Sequence, residues 1–186
     1  MYKKFYYKYL DIIRKMFFWT RRNKYIFHPN IKIGKNVRIG KSVGIEILYG
    51  GKVIIGNNTE ILDGCKIWTY GGEISIGDDC SINPHTLIYG NGGCTIGDNV
   101  LIAANSMIVP ANHKFSSKNQ LIRQQGMSEK GILIEDDVWI AHSCTILDGV
   151  KIGEGAVIAA NSVVNKNIQE YTINAGTPAR LIKKRS

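Results

Sequence analysis

IEDDVWIAHSCTILDGVKIGEGAVIAANSVV, residues 134–164, returns an isoleucine or valine every six residues. The same period extends outward from this stretch as far back as residue 33. Of the eighteen positions that start a repeat, seventeen are isoleucine, a regularity that random placement does not produce. They are Ile33, Ile39, Ile45, Ile55, Ile61, Ile67, Ile76, Ile82, Ile88, Ile96, Ile102, Ile108, Ile134, Ile140, Ile146, Ile152, Ile158 and Val164.

A period of six excludes the usual secondary structures. A helix would return apolar residues at three and four positions, and a strand with one exposed face at two. Six fits short strands joined by tight corners, with a small or β-branched residue such as Val37, Cys65 or Ser106 filling each corner. Three strands make one triangular coil, and coils stack at about 4.8 Å. The repeats therefore predict an all-β fold, a parallel β-helix of about six triangular coils.

Four gaps between repeats are longer than six residues, and each follows the third strand of a coil. The gaps run from 45 to 55, 67 to 76, 88 to 96 and 108 to 134. We therefore expect the extra residues at one edge of the prism, stacked above each other. The first three contain Tyr49, Tyr70 and Tyr89 before glycines, and this tyrosine column serves either as a sugar-binding wall or as a packing ladder.

The fourth insertion, loop 112–131, is the longest and begins at a titratable residue, His113. Binding and catalytic residues are concentrated on loops that a rigid scaffold positions. A regular scaffold interrupted by one long loop at a histidine therefore predicts that the functional site lies at this loop.

The net charge of +9 is concentrated at the two ends of the chain. Residues 1–24 carry +7 and residues 180–186 carry +4, which leaves −2 on the body between them. Nucleic-acid binding requires a basic face on the folded body, so no nucleic acid is expected as a partner. The sequence divides into an N-terminal segment 1–30, a β-helix domain 31–169 with loop 112–131, and a C-terminal tail 170–186.

The N-terminal segment is basic and aromatic, and it contains no glycine. Its apolar residues recur at helical spacing and predict a short amphipathic helix. Residues 1–24 then contact either the protein's own body or a neighbouring subunit, or an anionic membrane surface as a peripheral contact. The apolar positions are Leu10, Ile13, Met16 and Phe17.

The cysteines and the apolar runs indicate the compartment. Four cysteines show no CxxC pairing, so we expect reduced thiols and a cytoplasmic protein. No apolar run approaches the ~20 residues of a membrane span, and no signal peptide is recognised at the N-terminus. A cytoplasmic location, with peripheral contact to the inner face of the membrane as an option, follows as an expectation.

Three stretches carry a resemblance to a known family: IGDNVLIAANSMIVPANHKF (96–115), the repeats at 134–164, and NAGTPARLIKKR (174–185). Together they resemble the hexapeptide-repeat acetyltransferases, and more closely the maltose and galactoside acetyltransferases and the capsule or lipopolysaccharide O-acetyltransferases. The resemblance covers residues 31–185. It implies a left-handed β-helix, a homotrimer, acetyl-CoA as co-substrate, no metal, and transfer of acetyl to a hydroxyl of a sugar or polysaccharide acceptor.

The resemblance also implies roles for residues of the acceptor side. His113 corresponds to the family's catalytic base, and a neutral imidazole is a suitable base near neutral pH. Asn83, in SINPH, corresponds to an asparagine that lies opposite the histidine across a subunit boundary and orients the acceptor. His85, close to Asn83, is either a surface residue or part of the acceptor pocket. Trp139 is expected to contribute to both the substrate pocket and the CoA channel.

A second group of residues is implied to bind CoA. In the family these positions line the channel, contact the pantetheine arm through the backbone, or face the adenine and phosphate end. Ala141 stands where the family more often has glycine, and His142 where a small residue is usual. The CoA-binding candidates are Trp139, His142, Ala160, Asn165, Lys166, Arg180 and Lys183.

Three other functions are compatible with the repeat. A xenobiotic acetyltransferase that modifies an antibiotic would share the fold and the donor. A γ-type carbonic anhydrase would need further histidines after the long loop begins, and residues 114–130 contain none. A non-catalytic hexapeptide scaffold would show no acetyl transfer with any acceptor.

Overall fold

The computed structural model describes residues 21–185, and it confirms an all-β parallel β-helix of six stacked coils. Residues 21–26 are helical. The amphipathic helix predicted around Leu10–Phe17 lies outside the described residues. Within residues 21–185, no helix is long and apolar enough to cross a membrane.

Three sheets form the faces of the prism, parallel except for the last strand of the second, and we call them A, B and C in chain order. Sheet A contains β1 (Ile31–Ile33), β4 (Lys52–Ile55), β7 (Glu73–Ile76), β10 (Cys94–Ile96), β15 (Ile132–Ile134) and β18 (Lys151–Ile152). Sheet B contains β2 (Arg38–Ile39), β5 (Glu60–Ile61), β8 (Ser81–Ile82), β11 (Leu101–Ile102), β16 (Trp139–Ile140), β19 (Val157–Ile158), β21 (Thr172–Ala175) and β22 (Arg180–Lys184). Sheet C contains β3 (Gly44–Glu46), β6 (Lys66–Trp68), β9 (Leu87–Tyr89), β12 (Met107–Val109), β17 (Thr145–Leu147) and β20 (Val163–Val164).

The core is a stack of the repeat-start side chains. All of them except Ile33 are buried, and Ile33 packs against the core while partly exposed. Successive coils are in register, so that Ile67, for example, lies beside Ile45 below and Ile88 above. Each buried isoleucine contributes roughly 1.5–3 kcal/mol through the area it removes from water.

The corners hold small or β-branched side chains, and the threonine and cysteine corners also hydrogen-bond to the next coil. All the predicted corner residues are buried. The Thr59 hydroxyl donates to the Gly77 carbonyl at 2.8 Å and accepts from the Cys80 amide at 3.0 Å. The Cys65 thiol lies 3.1 Å from the Asn83 carbonyl. Where a corner holds a hydroxyl or thiol, it provides a partner for a buried carbonyl, which would be costly to leave without one.

The four insertions lie at one edge of the prism, as predicted. Each one connects a strand of sheet C to the next strand of sheet A, so we call this the C–A edge. The long loop returns as an antiparallel pair, β13 (Asn112–His113) with β14 (Met127–Ser128), and holds a 3-10 turn, Ile122–Gln124.

Both ends of the described coil stack are covered. At the N-terminal end the buried Tyr25 donates its hydroxyl to the Val43 carbonyl at 2.8 Å, and Arg22 donates to the Gly34 carbonyl at 3.0 Å. At the other end β21 and β22 form an antiparallel pair that extends sheet B. The C-terminal tail is therefore continuous with one face of the prism.

Candidate active site

The paired strands at the start and end of the long loop fix the backbone position of His113. Its backbone pairs with Met127, and the Lys114 amide donates to the Gly126 carbonyl at 3.0 Å. This short hairpin leaves the C–A edge directly after β12. A histidine next to a regular strand is held more firmly than one at a loop tip, since the scaffold is rigid there.

The rest of the loop is held by side-chain hydrogen bonds. The side-chain oxygen of Gln125 accepts a hydrogen bond from the Ser117 backbone N–H at 3.0 Å. The side-chain nitrogen of Gln125 donates to the Ser117 carbonyl at 2.9 Å and to the Gln120 carbonyl. The Asp148 carboxylate accepts from the Ser128 hydroxyl at 2.8 Å and from the Lys130 amide at 2.7 Å. The loop is therefore held across its middle and at its return to the prism.

His113 lines a hollow of about 370 Å³ at the C–A edge, a volume within the usual range of small-molecule sites. Its imidazole is exposed, and no residue in the described range 21–185 hydrogen-bonds it. Both ring nitrogens are thus available to a ligand. The hollow is lined by Tyr70, Tyr89, Asn91, Val109, Ala111, Asn112, His113 and Met127.

Three aromatic rings pack together beside this hollow. Trp68 stacks on Tyr89 with ring centroids 5.8 Å apart and planes inclined by 14°. Tyr70 meets Tyr89 edge to face at 5.0 Å and Trp68 at 6.2 Å. Burial raises the pKa of the Tyr89 phenol, and the neighbouring Tyr70 raises it further.

The predicted column of three tyrosines is wrong in one member. Tyr49 is 87% exposed and does not join the aromatic cluster. The strand register explains this. Tyr89 pairs with Trp68 in the preceding coil, and Trp68 pairs with Glu46 in the coil before that. The column that contains Tyr89 and Trp68 therefore continues to a carboxylate and not to a tyrosine. Trp68 is the member that the sequence analysis missed. Its signal was present, since Trp68 and Tyr89 each directly follow a repeat isoleucine.

Asn83 and His85 lie on a different edge of the prism from His113. They follow β8 at the corner between sheets B and C, the B–C edge. The Asn83 amide donates to the Ile102 carbonyl at 3.0 Å. The exposed His85 packs so closely on Gly64 that a Cβ built there would lie 2.5 Å from its Nδ1. Within one chain, the structure does not bring Asn83 or His85 to His113.

The predicted pantetheine contacts also lie on the B–C edge. His142 and Ala160 occupy the same corner position in successive coils, and the amide after Ala160 donates to the His142 carbonyl at 2.9 Å. Both side chains are exposed. Trp139 lies on the outer face of sheet B, where it is 49% exposed beside Leu101, which is 48% exposed.

The predicted phosphate contacts gather at the C-terminal end of the coil stack. Lys166 and Arg180 line one hollow of about 270 Å³ between the end of β20 and the final hairpin. Asn165 immediately precedes Lys166 and is exposed. Lys183 is exposed on β22, paired with Ile173 of β21. Two of the four candidates thus share a hollow, and all four are near the same end of the prism.

All four cysteines are free and buried. Burial raises the pKa of Cys65 to about 11 and that of Cys94 to about 12, and it also raises the pKa of Cys80 and Cys144. Such thiols are poor nucleophiles, because the thiolate is the reactive form. Within the described part of the chain, no group of three or more His, Cys, Asp or Glu side chains is placed to hold a metal ion.

Comparison with known proteins gives matches over the coils. The family model described as bacterial transferase hexapeptide (six repeats) matches residues 131–166. The putative lipopolysaccharide biosynthesis O-acetyl transferase WbbJ of Escherichia coli is 33% identical over 142 residues, which are 72% of this chain and 72% of that protein.

Two further matches are to a second sequence relative and to a solved structure. A probable macrolide acetyltransferase of Lysinibacillus sphaericus is 55% identical over 53 residues, 28% of this chain and 29% of that protein. A crystal structure of a mutant of AntD, an N-acyltransferase from Bacillus cereus, in complex with dTDP-4-amino-4,6-dideoxyglucose and coenzyme A, is 28% identical. It superposes with a TM-score of 0.74 over 83% of this chain and 84% of that one.

Proposed function

Because the chain belongs to the hexapeptide-repeat acetyltransferase family, we propose that it transfers acetyl from acetyl-CoA to a hydroxyl of a sugar in a surface polysaccharide or its precursor. The chain is an acyltransferase and its co-substrate is acetyl-CoA, so the alternative of a non-catalytic scaffold is not retained. The observation that carries the proposal is His113, exposed in a hollow with no partner for its imidazole among residues 21–185.

His113 acts as the general base. A sugar hydroxyl is a weak nucleophile until its proton is removed, and the imidazole accepts that proton as the oxygen attacks the thioester carbonyl. The new C–O bond forms, the C–S bond breaks, and the departing thiolate takes the proton from the imidazolium. A positioned base of this kind contributes roughly 10²–10⁴ to the rate.

Direct transfer without an acetyl-enzyme is supported by the state of the cysteines. A covalent route would need an accessible nucleophile, and the four thiols are buried with raised pKa values. The acceptor and donor must then be bound at the same time. His113 accepts one proton from the acceptor hydroxyl and passes it to the departing thiolate.

The donor is held by the far end of the coil stack in this proposal. Lys166 and Arg180 supply positive charge to phosphate groups from their shared hollow, and Lys183 adds a third cation nearby. Asn165, at the start of the same turn, faces the adenine end. His142 and Ala160 line the path of the pantetheine arm along the B–C edge, together with Trp139 on the outer face of sheet B.

A homotrimer completes the site. Asn83 is on the B–C edge and His113 on the C–A edge, so a site that uses both requires a neighbouring chain. The half-exposed apolar side chains of Trp139 and Leu101 support a packed outer face on sheet B. The test is co-assembly of His113→Ala chains with Asn83→Ala chains, each inactive alone. Mixed trimers should regain activity, whereas no recovery would contradict a shared site.

The function is tested by following labelled acetyl from acetyl-CoA into a panel of glycans. His113→Ala should lower kcat by about 10²–10⁴ with little change in stability, because the side chain is exposed. His28→Ala is the matched control, since His28 is also exposed but lies before the first coil. Equal rates for the wild type and His113→Ala would remove His113 from the mechanism.

A macrolide or another antibiotic as acceptor is the second candidate, favoured by the local 55% identity to a macrolide acetyltransferase. The same assay separates the two candidates when macrolides are included beside glycans. A higher kcat/KM for a macrolide would favour the antibiotic function, and it would leave the role of His113 unchanged.

Peripheral membrane contact through residues 1–24 is supported by the charge of +7 on that segment and by Phe27, which is 88% exposed where the segment meets the coils. The test is to remove residues 2–20, which keeps the Arg22 and Tyr25 contacts to the first coil. Liposomes containing anionic lipid should bind the full chain and not the shortened one. Equal binding would favour the alternative, a segment packed on protein.

A further inference from the structure

The three rings of the aromatic cluster beside His113 are held in contact with one another. Tyr89 has Trp68 stacked on one side, and Tyr70 contacts it with the two rings nearly perpendicular. Rings immobilised in this way lose little further freedom when a ligand packs on them, which lowers the entropic cost of binding. The cluster is therefore a pre-organised apolar surface within the hollow that also contains the imidazole.

Two local costs accompany the cluster. Tyr70 has a φ of 44°, a left-handed conformation that is a genuine outlier for a bulky residue. The indole nitrogen of Trp68 is buried and has no hydrogen-bond partner within residues 21–185. Buried donors without partners are rare in native structures and call for an explanation. The left-handed φ recurs at Tyr49 and at other corners, whereas the unpartnered indole belongs to the ring that stacks on Tyr89, and Tyr89 lines the hollow with His113.

The geometry of a general base limits what occupies the hollow. The reacting hydroxyl must lie within about 2.6–3.2 Å of an imidazole nitrogen, so the part of the acceptor around it fills the same hollow as Tyr70 and Tyr89. The ring of a pyranose has hydroxyls at its rim and C–H groups on its faces. The C–H faces suit aromatic rings, and a rim hydroxyl is left for His113.

We propose that Tyr70 and Tyr89 form a stacking subsite for a pyranose ring of the acceptor. The subsite rests on the proposed function, in which the acceptor is a sugar. It selects the substrate class: a cyclic sugar with an accessible C–H face, in preference to an acyclic polyol with the same hydroxyls.

The sequence contains a matched control for this subsite. Tyr49 stands in the same tyrosine–glycine–glycine motif as Tyr70, at the same edge, and has a similar φ of 55°. It is exposed and does not line the hollow. Replacing Tyr49 therefore makes the same chemical change in a similar local backbone, at a position outside the hollow that would hold the acceptor.

The experiment measures KM and kcat for the best-acetylated member of a set containing methyl pyranosides, capsule-type oligosaccharides and sorbitol. Tyr70→Leu and Tyr89→Leu should each raise the acceptor KM by about 3- to 10-fold, with kcat within about twofold and the KM for acetyl-CoA unchanged. Tyr70→Phe and Tyr89→Phe should retain low KM values, because the rings remain. Tyr49→Leu should match the wild type, and sorbitol should be the poorest acceptor.

The outcomes separate this subsite from the proposed function. If a glycan is acetylated with dependence on His113, but the leucine variants keep the wild-type KM, the subsite is wrong and the function stands. Phenylalanine variants as impaired as the leucine variants would also contradict stacking. If no glycan is acetylated, or His113→Ala is fully active, the proposed function itself fails.

Discussion

The Asp148 carboxylate accepts a hydrogen bond from the Ser128 hydroxyl at 2.8 Å, and this contact joins the return strand of the long loop to the next coil. The same carboxylate accepts a hydrogen bond from the Lys130 backbone N–H at 2.7 Å. His113 pairs with Met127, the residue before Ser128. The position of the imidazole therefore depends on a carboxylate that belongs to the coil after the loop.

Asp148→Ala should lower kcat by about 10- to 100-fold, because small displacements of a catalytic group are costly. The loop should also become more sensitive to limited proteolysis between residues 114 and 126. Asp98→Ala is the control. The Asp98 carboxylate accepts a similar hydrogen bond from the Asp78 backbone N–H at 2.7 Å, but on the edge between sheets A and B. An Asp98→Ala enzyme as impaired as Asp148→Ala would indicate general destabilisation instead of loop positioning.

Gly72→Ala should destabilise the fold by about 1–3 kcal/mol and disturb the aromatic cluster. A Cβ at Gly72 would lie 1.9 Å from the Gly90 carbonyl, so the two insertions could not stack as they do. Gly44→Ala should be neutral within about 0.5 kcal/mol, because its Cβ would meet only flexible side chains, Lys66 at 3.2 Å and Glu46 at 3.9 Å. Urea unfolding measures both, and equal effects would contradict this account of the stacked loops.

The sequence predicted the coils, the corners and the shared edge of the insertions because each follows from the six-residue period of the isoleucines and the gaps in it. It misplaced Tyr49 because the tyrosine column was defined by the glycines that follow each ring, whereas the strand register is set by the isoleucine. Tyr89 directly follows Ile88, as Trp68 follows Ile67, and this is why those two rings stack.

The relation of Asn83 to His113 shows a second limit of sequence reasoning. Position within the coil assigns Asn83 to the B–C edge and His113 to the C–A edge, and the structure has them there. Periodicity within a chain contains no information about a neighbouring chain. The loop contacts of Asp148 and Gln125 were also not predicted, because they depend on how an irregular segment returns to the prism.

Native protein should resist alkylation at all four cysteines. With a pKa of about 11, the Cys65 thiol is about one part in a thousand thiolate at pH 8, and Cys94 is less ionised still. Iodoacetamide at pH 8 should label none of the four in the folded protein and all four in urea, as counted by mass spectrometry. Rapid labelling of any one in the native state would contradict the burial of that thiol, and would reopen the possibility of a covalent acetyl-enzyme.

Ile76→Ala should lower the thermal midpoint by about 5–15 °C, since removing a large buried side chain costs roughly 2–5 kcal/mol in a chain of this size. Ile76 is buried in sheet A between Ile55 and Ile96, so the cavity would have core neighbours above and below it. Ile33→Ala, in the first coil and partly exposed, should cost clearly less. Calorimetry at equal protein concentration compares the two. Similar losses would mean that the coils do not support one another as a stack, because an end position would then matter as much as a central one.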